Sequence, residues 1–258
     1  MDRWLLLAAT LLALIGSAGG MLAVHHGHRS RSTVIWMAAA MACQIAFLSI
    51  RGEIRCVCPL KDNGEILVFL SWSLTLFYLL VGSAYRISLL GVFSAPLVVL
   101  FQSIALLPGV LDAQPKKFDE GNLWHEMHSA TSVLAYGALA LAAIAGVMFL
   151  VLDRQLKEHH LQSGLFRNLP PVRELLVSLE RLLWLGGGLL TFGILAGVLM
   201  PHDKQVLGHL GHLMAAITIW MCYLLLLAVK STRGLTGRRL SLWAVGLFIL
   251  SLGVFAFV

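Results

Sequence analysis

The sequence is poor in charge. Asp, Glu, Lys and Arg make up only 12% of its 258 residues, about half the fraction found in a soluble globular domain. Apolar residues make up 59%, and the mean hydropathy is +0.85. This balance excludes a soluble enzyme and a nucleic-acid binder, so we expect no nucleic-acid partner.

Eight stretches of the chain contain no charged side chain at all. They span residues 4–24, 32–50, 66–85, 87–111, 129–152, 182–201, 213–229 and 240–258. A helix needs about 20 apolar residues to cross a hydrocarbon core about 30 Å thick, and each stretch is near that length. Runs of this length also exclude an outer-membrane barrel. The sequence therefore predicts an all-α fold: a polytopic membrane helix bundle of about eight transmembrane helices, with 1–258 as a single domain in the lipid bilayer.

The positive charges predict the orientation. When alternate connections are added together, one side carries twelve Lys and Arg residues and the other carries seven. Since the side richer in Lys and Arg is usually cytoplasmic, both termini are predicted to lie outside. The first stretch is longer than the apolar core of a secretory signal, and positive charges follow it, so we interpret it as a retained span.

Two segments leave alternatives open. Residues 169–182 (LPPVRELLVSLERL) show a helical apolar pattern, which fits either an amphipathic helix on the membrane surface or an extension of span six. In that span, Gly193 and Gly197 have GxxxG spacing, which lets a second helix or a flat ligand approach closely. Packing between helices is the favoured interpretation. Pro96 is predicted to interrupt span four.

The sequence shows no nucleophile–base pair, phosphate-binding loop or paired acid site. We therefore predict that the chain alone is not an enzyme. Because no charged residue lies inside a predicted span, an ion or proton path is also disfavoured.

Two histidine pairs stand out among the ten histidines. His125 and His128 precede span five, and His209 and His212 lie at the start of span seven. Spacing of i,i+3 places both rings of a pair on one helix face. Imidazole is a common axial ligand of haem iron, but for such a pair taken alone the favoured interpretation is that the rings lie at the headgroup level.

Several motifs in the second half resemble the CcsA family of cytochrome c assembly proteins. They are HSATSVLAYGAL (128–139), with His128 followed eight residues later by Tyr136, the Leu156-Lys157 segment, LPPVRELLVSLERL (169–182), LLTFGILAGVL (189–199), Trp220, Tyr223 and GRR (237–239). The first half shares the pattern of spans, with GEI and FLSW (69–72) pointing to the same family. The short HemX-like and YpjD-like members are most similar.

The resemblance implies a haem-handling protein of the inner (plasma) membrane that takes part in cytochrome c biogenesis. Its implied cofactor is haem b, and its implied partners are other cytochrome c assembly membrane proteins and apocytochrome c. His128 matches the first iron ligand of the family. The family's Trp-rich outer segment is replaced by PHDKQVLGHLGH (201–212), and no His follows the last span. We therefore expect His212, or His209 one turn away, to supply the second ligand to iron.

Residues around a haem should include aromatic faces and cations for the propionates. Trp72 and Trp124 are candidate aromatic contacts, and Arg51 and Arg55 are candidate propionate partners because guanidinium binds carboxylates bidentately. The alternatives are ordinary packing for the tryptophans, and a solvated loop in which the arginines pair with Glu53.

Four cysteines are present. Cys43 and Cys222 fall within spans and fit small apolar residues, whereas Cys56 and Cys58 fall on the predicted outer side, where thiols oxidise. That CxC pair is compatible with a redox role toward a partner.

Three function classes follow. The first is haem handling in cytochrome c biogenesis with haem held near the outer face, the second is a HemX-like regulator of haem biosynthesis that does not present haem, and the third is a small transporter subunit.

Overall fold

The computed structural model describes residues 2–26, 32–85, 88–112, 116–117, 122–157, 172–200 and 210–257. Within these ranges all regular structure is α-helical, which confirms the predicted fold class. The eight helices are α1 (Asp2–His25), α2 (Ser32–Arg55), α3 (Asn63–Tyr85), α4 (Ser88–Ala105), α5 (Leu123–Lys157), α6 (Val172–Leu199), α7 (Leu210–Arg233) and α8 (Gly237–Phe257).

Each helix contains most or all of one charge-free stretch, so hydrophobic run length located the helices correctly. Six of the helices in the described residues are long and apolar enough to cross a membrane, and α4 contributes a shorter apolar segment, Leu90–Ala105. The orientation of the termini stays a prediction.

The structure corrects two predictions and decides between two alternatives. The charge-free stretches 32–50 and 66–85 place a connection at 51–65, but α2 continues through Arg55 and α3 begins at Asn63, so this connection shortens to a turn over 56–62. α4 continues through Pro96 without a break. α6 runs unbroken from Val172 to Leu199, so of the two interpretations left open for 169–182 the described part fits the extension of span six.

The chain divides into two compact units. Unit 1 comprises residues 1–121 and 154–174, and unit 2 comprises residues 122–153 and 175–258. In unit 1, α1 packs on α2 and α4, and α3 packs on α2 and α4. Its buried core includes Leu6, Phe47, Val68, Ala105 and Leu111.

Unit 2 is held by close contacts among α5, α6, α7 and α8. The backbone of Gly186 in α6 lies against Leu139 of α5, and Gly146 of α5 lies against Leu179 of α6 and Val245 of α8. A long helix such as α5, with 35 residues, extends about 52 Å and therefore exceeds the hydrocarbon thickness.

Candidate functional site

The two histidines of α5 both face α6. α5 begins with Asn122 as its cap, since the Asn122 side-chain oxygen accepts a hydrogen bond from the backbone N–H of Trp124 at 3.0 Å. One turn apart in the helix that follows, His125 contacts Met200 and His128 contacts Gly193. The i,i+3 spacing thus gives the shared face that the sequence predicted.

The ring of His128 is fixed by a backbone hydrogen bond. Its Nδ1 lies 2.6 Å from the carbonyl oxygen of Gly193, and since a carbonyl can only accept, Nδ1 carries the hydrogen and donates it. In a neutral imidazole this leaves the lone pair on Nε2. A histidine that ligates a metal commonly has its other ring nitrogen bonded to a backbone carbonyl in this way.

Glycine makes this contact possible. A Cβ placed on Gly197 would lie 2.9 Å from Nδ1 of His128, and one placed on Gly193 would lie 2.7 Å from Oγ of Ser132. Both distances are too short for a real side chain, so α5 and α6 approach each other only because these positions are glycine. The preferred interpretation of the GxxxG spacing, helix packing, is confirmed, and the same packing positions His128.

The neighbouring candidates His125 and Trp124 are more exposed than His128. Nδ1 of His125 lies 3.3 Å from Sδ of Met200, at the exposed start of α5. Trp124 is exposed there. His209 and the side chain of His212 lie outside the described residues, so the second iron ligand stays a prediction.

Arg51 and Arg55 form the buried centre of a group of charges in unit 1, which we call the charge cluster. The cluster consists of Asp2, Arg51, Arg55, Asp62, Glu65 and Asp112. The side chains of Arg51 and Glu65 are completely buried and that of Arg55 is 2% exposed. Of the two interpretations left open for these arginines, the solvated loop is therefore excluded: both lie in the last two turns of α2, inside the unit.

The arginines are engaged by carboxylates from three other parts of the unit. Nε of Arg55 donates to Glu65 at 2.5 Å, and its Nη2 lies 2.9 Å from Asp62 and 3.3 Å from Asp112. Nε of Arg51 lies 2.9 Å from Asp2, and its Nη2 donates to the carbonyl of Asp112 at 2.7 Å. The charge cluster thus ties together the start of α1, the end of α2, the start of α3 and the segment after α4.

Two members of the charge cluster, Asp62 and Glu65, also cap the N-terminus of α3. The Asp62 carboxylate accepts the backbone N–H of Glu65 at 2.6 Å, and the Glu65 carboxylate accepts the backbone N–H of Lys61 at 3.0 Å. This arrangement resembles a capping box, with the acidic side chain reaching one residue further back. The D-x-x-E spacing before an apolar run was the sequence signal for it.

The predicted role of Arg51 and Arg55 toward propionates stays a prediction. The contacts of the two side chains favour a structural role, because four carboxylates of the chain already surround the two guanidinium groups. A propionate would add a further negative charge to that group.

Trp72 lines an open groove between α2 and α3, which we call the CxC groove. Its volume is about 630 Å³, and it is lined by Ile45, Leu48, Ser49, Gly52, Glu53, Cys56, Val57, Cys58, Pro59, Phe69 and Trp72. The rings of Phe69 and Trp72 pack with centroids 5.1 Å apart, which is a favourable aromatic distance. Trp72 is therefore both a packing residue and a wall of this groove.

Cys56 holds an unusual backbone position at the edge of the groove. Its φ is +57°, the left-handed conformation that usually belongs to glycine directly after a helix. Cys56 is exposed, Cys58 is half-buried, and no disulfide joins the four cysteines.

The helical content and the six apolar helices of the described residues define a multi-pass membrane protein. A family model described as cytochrome C assembly protein matches residues 62–257. The chain therefore belongs to the cytochrome c assembly protein family, as the motifs in its second half predicted. The match begins at residue 62, so it also takes in FLSW and the rest of α3 and α4.

Individual relatives share low sequence identity with the chain, in two cases over most of its length. The chain is 26% identical over 253 residues to a protein named cytochrome c biogenesis protein CcsA from Synechococcus elongatus, covering 79% of this chain and 76% of the relative. A protein of the same name from another Synechococcus is 27% identical, covering 75% and 72%. One from Nostoc punctiforme is 31% identical over a shorter region, 51% of this chain and 39% of that relative.

Proposed function

We propose that this protein handles haem in cytochrome c biogenesis, with His128 as one axial ligand of haem b iron. The relatives named above are cytochrome c biogenesis proteins, which supports the process. The hydrogen bond from Nδ1 of His128 to Gly193 carries the assignment of the ligand, because it leaves Nε2 with the lone pair that iron requires.

The second ligand in this proposal is His212, or His209 one turn earlier. His125 is a further contact at the same end of α5, where it touches Met200, and Trp124 beside it offers an aromatic surface. Bound haem would supply the vinyl groups for thioether formation, and the thiols would come from apocytochrome c. The chain itself would bind and orient haem, together with other assembly proteins of the inner membrane.

The absorption spectrum of the detergent-purified protein tests this proposal. We expect a low-spin bis-histidine spectrum and a positive pyridine haemochrome assay. His128→Ala should abolish the low-spin spectrum, and added imidazole should restore it, because the free base can occupy the vacated position on iron. A merely structural role of His128 would not be rescued in this way.

His26→Ala is the matched control. Its Nδ1 also lies close to a backbone carbonyl, that of Leu22 at 2.8 Å, but within its own helix and at an exposed site. We expect its spectrum to equal that of the unmodified protein. His212→Ala and His209→Ala identify the second ligand. Spectra unchanged in both His128→Ala and His212→Ala would refute the bis-histidine site.

Deletion of the gene separates haem handling from regulation. If the protein handles haem for cytochrome c, covalently bound haem in c-type cytochromes should fall while total haem synthesis is maintained. A HemX-like regulator would instead change the level of haem biosynthetic enzymes and leave haem attachment intact.

A further inference from the structure

The CxC groove combines three features that the proposed haem site does not use. It is open along one side, its walls are mainly apolar, and two thiols lie among its lining residues, Cys56 and Cys58. Its volume of about 630 Å³ falls within the range of ligand-binding pockets. The groove lies wholly within unit 1.

The two thiols are the reactive groups that the CxC groove presents to a bound molecule. Within the described residues, no group of three or more His, Cys, Asp or Glu side chains is arranged to hold a metal ion. The two thiols are separated by one residue, and the exposed one, Cys56, occupies a backbone conformation that glycine would adopt at lower cost. An exposed thiol followed by a half-buried one is the arrangement of an attacking and a resolving cysteine.

The lining residues also indicate which class of ligand the CxC groove would bind. Phe69 and Trp72 form an aromatic wall, and Val57 and Pro59 add apolar surface beside the cysteines. Among the described residues of the lining, Glu53 carries the one carboxylate, and none is Lys or Arg. An apolar surface with one negative charge suits an apolar or basic peptide segment better than an acidic one.

We propose that Cys56 and Cys58 form a thiol-exchange site for an apolar or basic peptide that carries a disulfide and lies in the CxC groove. The Cys56 thiol loses its proton, and the thiolate attacks one peptide sulfur. The peptide disulfide breaks, a Cys56–peptide mixed disulfide forms, and the expelled peptide thiolate takes up a proton.

Cys58 then completes the exchange. Its thiolate attacks Sγ of Cys56, which forms the Cys56–Cys58 disulfide and releases the second peptide sulfur as a thiol. The peptide gains two electrons and two protons, and the protein pair loses the same. A disulfide between residues so close in sequence is strained and therefore oxidising, so this step runs forward only while an external dithiol reduces the Cys56–Cys58 disulfide as it forms. That dithiol is the net reductant: it is oxidised to a disulfide, and the peptide disulfide is reduced to two thiols.

The experiment uses the full-length protein carrying Cys43→Ala and Cys222→Ala, so that only the two groove thiols remain. The probe is a fluorescent synthetic peptide with one internal disulfide and apolar and basic flanks. With an excess of a dithiol present and no further change, we expect reduced peptide to form faster than with the dithiol alone. In the absence of the dithiol, the Cys56 mixed disulfide should accumulate in protein that also carries Cys58→Ser, and it should not form with Cys56→Ser.

Trp72→Ala tests the groove itself. Capture of the peptide should slow about tenfold in this variant, while alkylation of Cys56 by a small maleimide keeps its rate, because only the peptide needs the aromatic wall. The maleimide rate also shows that the turn is intact. An acidic peptide with the same disulfide should be captured more slowly than the basic one.

Three results would overturn the proposal. The first is the absence of a mixed disulfide in the Cys58→Ser protein, and the second is equal slowing of peptide and maleimide in Trp72→Ala. The third is equal capture of the peptide before and after Trp72→Ala, which would show that the peptide does not lie against the aromatic wall. The haem spectrum of the Cys56→Ser, Cys58→Ser protein is a separate readout, so failure here leaves the His128 proposal standing.

Discussion

The two units hold their helix ends by opposite means. In unit 1, the charge cluster joins four segments through guanidinium and carboxylate groups that are largely buried. In unit 2, the start of α5 meets the end of α6 through backbone contacts at Gly193 and Gly197. Buried ion pairs need all their partners to be present, whereas glycine contacts need only the absence of a side chain.

This difference bears on where a ligand can bind. The arginines of unit 1 already face carboxylates of their own chain, so their positive charges serve to stabilise the folded unit. The half-buried His128 of unit 2 uses one ring nitrogen for Gly193, and its other nitrogen remains to accept a bond to a metal. The comparison favours unit 2 as the place of the proposed haem site and unit 1 as a scaffold.

Glu65→Ala gives the largest expected effect on stability. Removing this carboxylate leaves Arg55 and Arg51 without their shared buried partner, which should cost about 3–5 kcal/mol. Thermal unfolding of the purified protein in detergent measures the loss. Glu53→Ala, at an exposed position in the same region, is the control and should change the stability by less than about 0.5 kcal/mol.

A paired replacement sharpens the test. Arg55→Met combined with Glu65→Leu removes both charges and should be less harmful than Glu65→Ala alone, because no buried charge is left unpaired. If Glu65→Ala proved as stable as Glu53→Ala, the cluster would not be the scaffold described here. The arginines would then be free to act as the predicted propionate partners.

Sequence reasoning located the helices because hydrophobicity is a local property. Counting charge-free residues placed the eight described helices, but it ended α2 at residue 50 because Arg51 and Arg55 are charged. Two of their partners are remote in sequence: Asp2 pairs with Arg51, and the carbonyl of Asp112, 61 residues from Arg51 along the chain, accepts a hydrogen bond from it. Only folding brings such partners together, so no local pattern could reveal the charge cluster.

The candidate haem ligand shows the same limit. Family resemblance singled out His128, and the GxxxG spacing indicated a close approach between helices. The link between the two, a hydrogen bond to a carbonyl 65 residues away, needed the structure. The CxC pair was visible in the sequence, but the groove beside it was not, because residues from α2, α3 and the turn between them line it.

Gly197→Ala gives an intermediate effect and tests unit 2. Its new methyl group would press on the ring of His128, which should cost about 1–3 kcal/mol of stability and alter the haem spectrum. Gly188→Ala is the matched control in the same helix, because a Cβ there meets nothing within 4 Å. Its stability should rise by up to about 1 kcal/mol. Equal spectra and equal stabilities for the two variants would contradict the close contact between α5 and α6.

Trp220→Phe gives the smallest expected effect. Nε1 of Trp220 donates to Oγ1 of Thr191 at 2.9 Å, which joins α7 to α6. The Thr191 hydroxyl itself donates to the carbonyl of Gly187 at 2.8 Å, so it keeps a partner when the indole is lost. The cost should therefore be near the average of about 0.6 kcal/mol for hydrogen bonds between membrane helices. A double-mutant cycle with Thr191→Val measures the coupling, and a value near zero would show that α6 and α7 are held by packing alone.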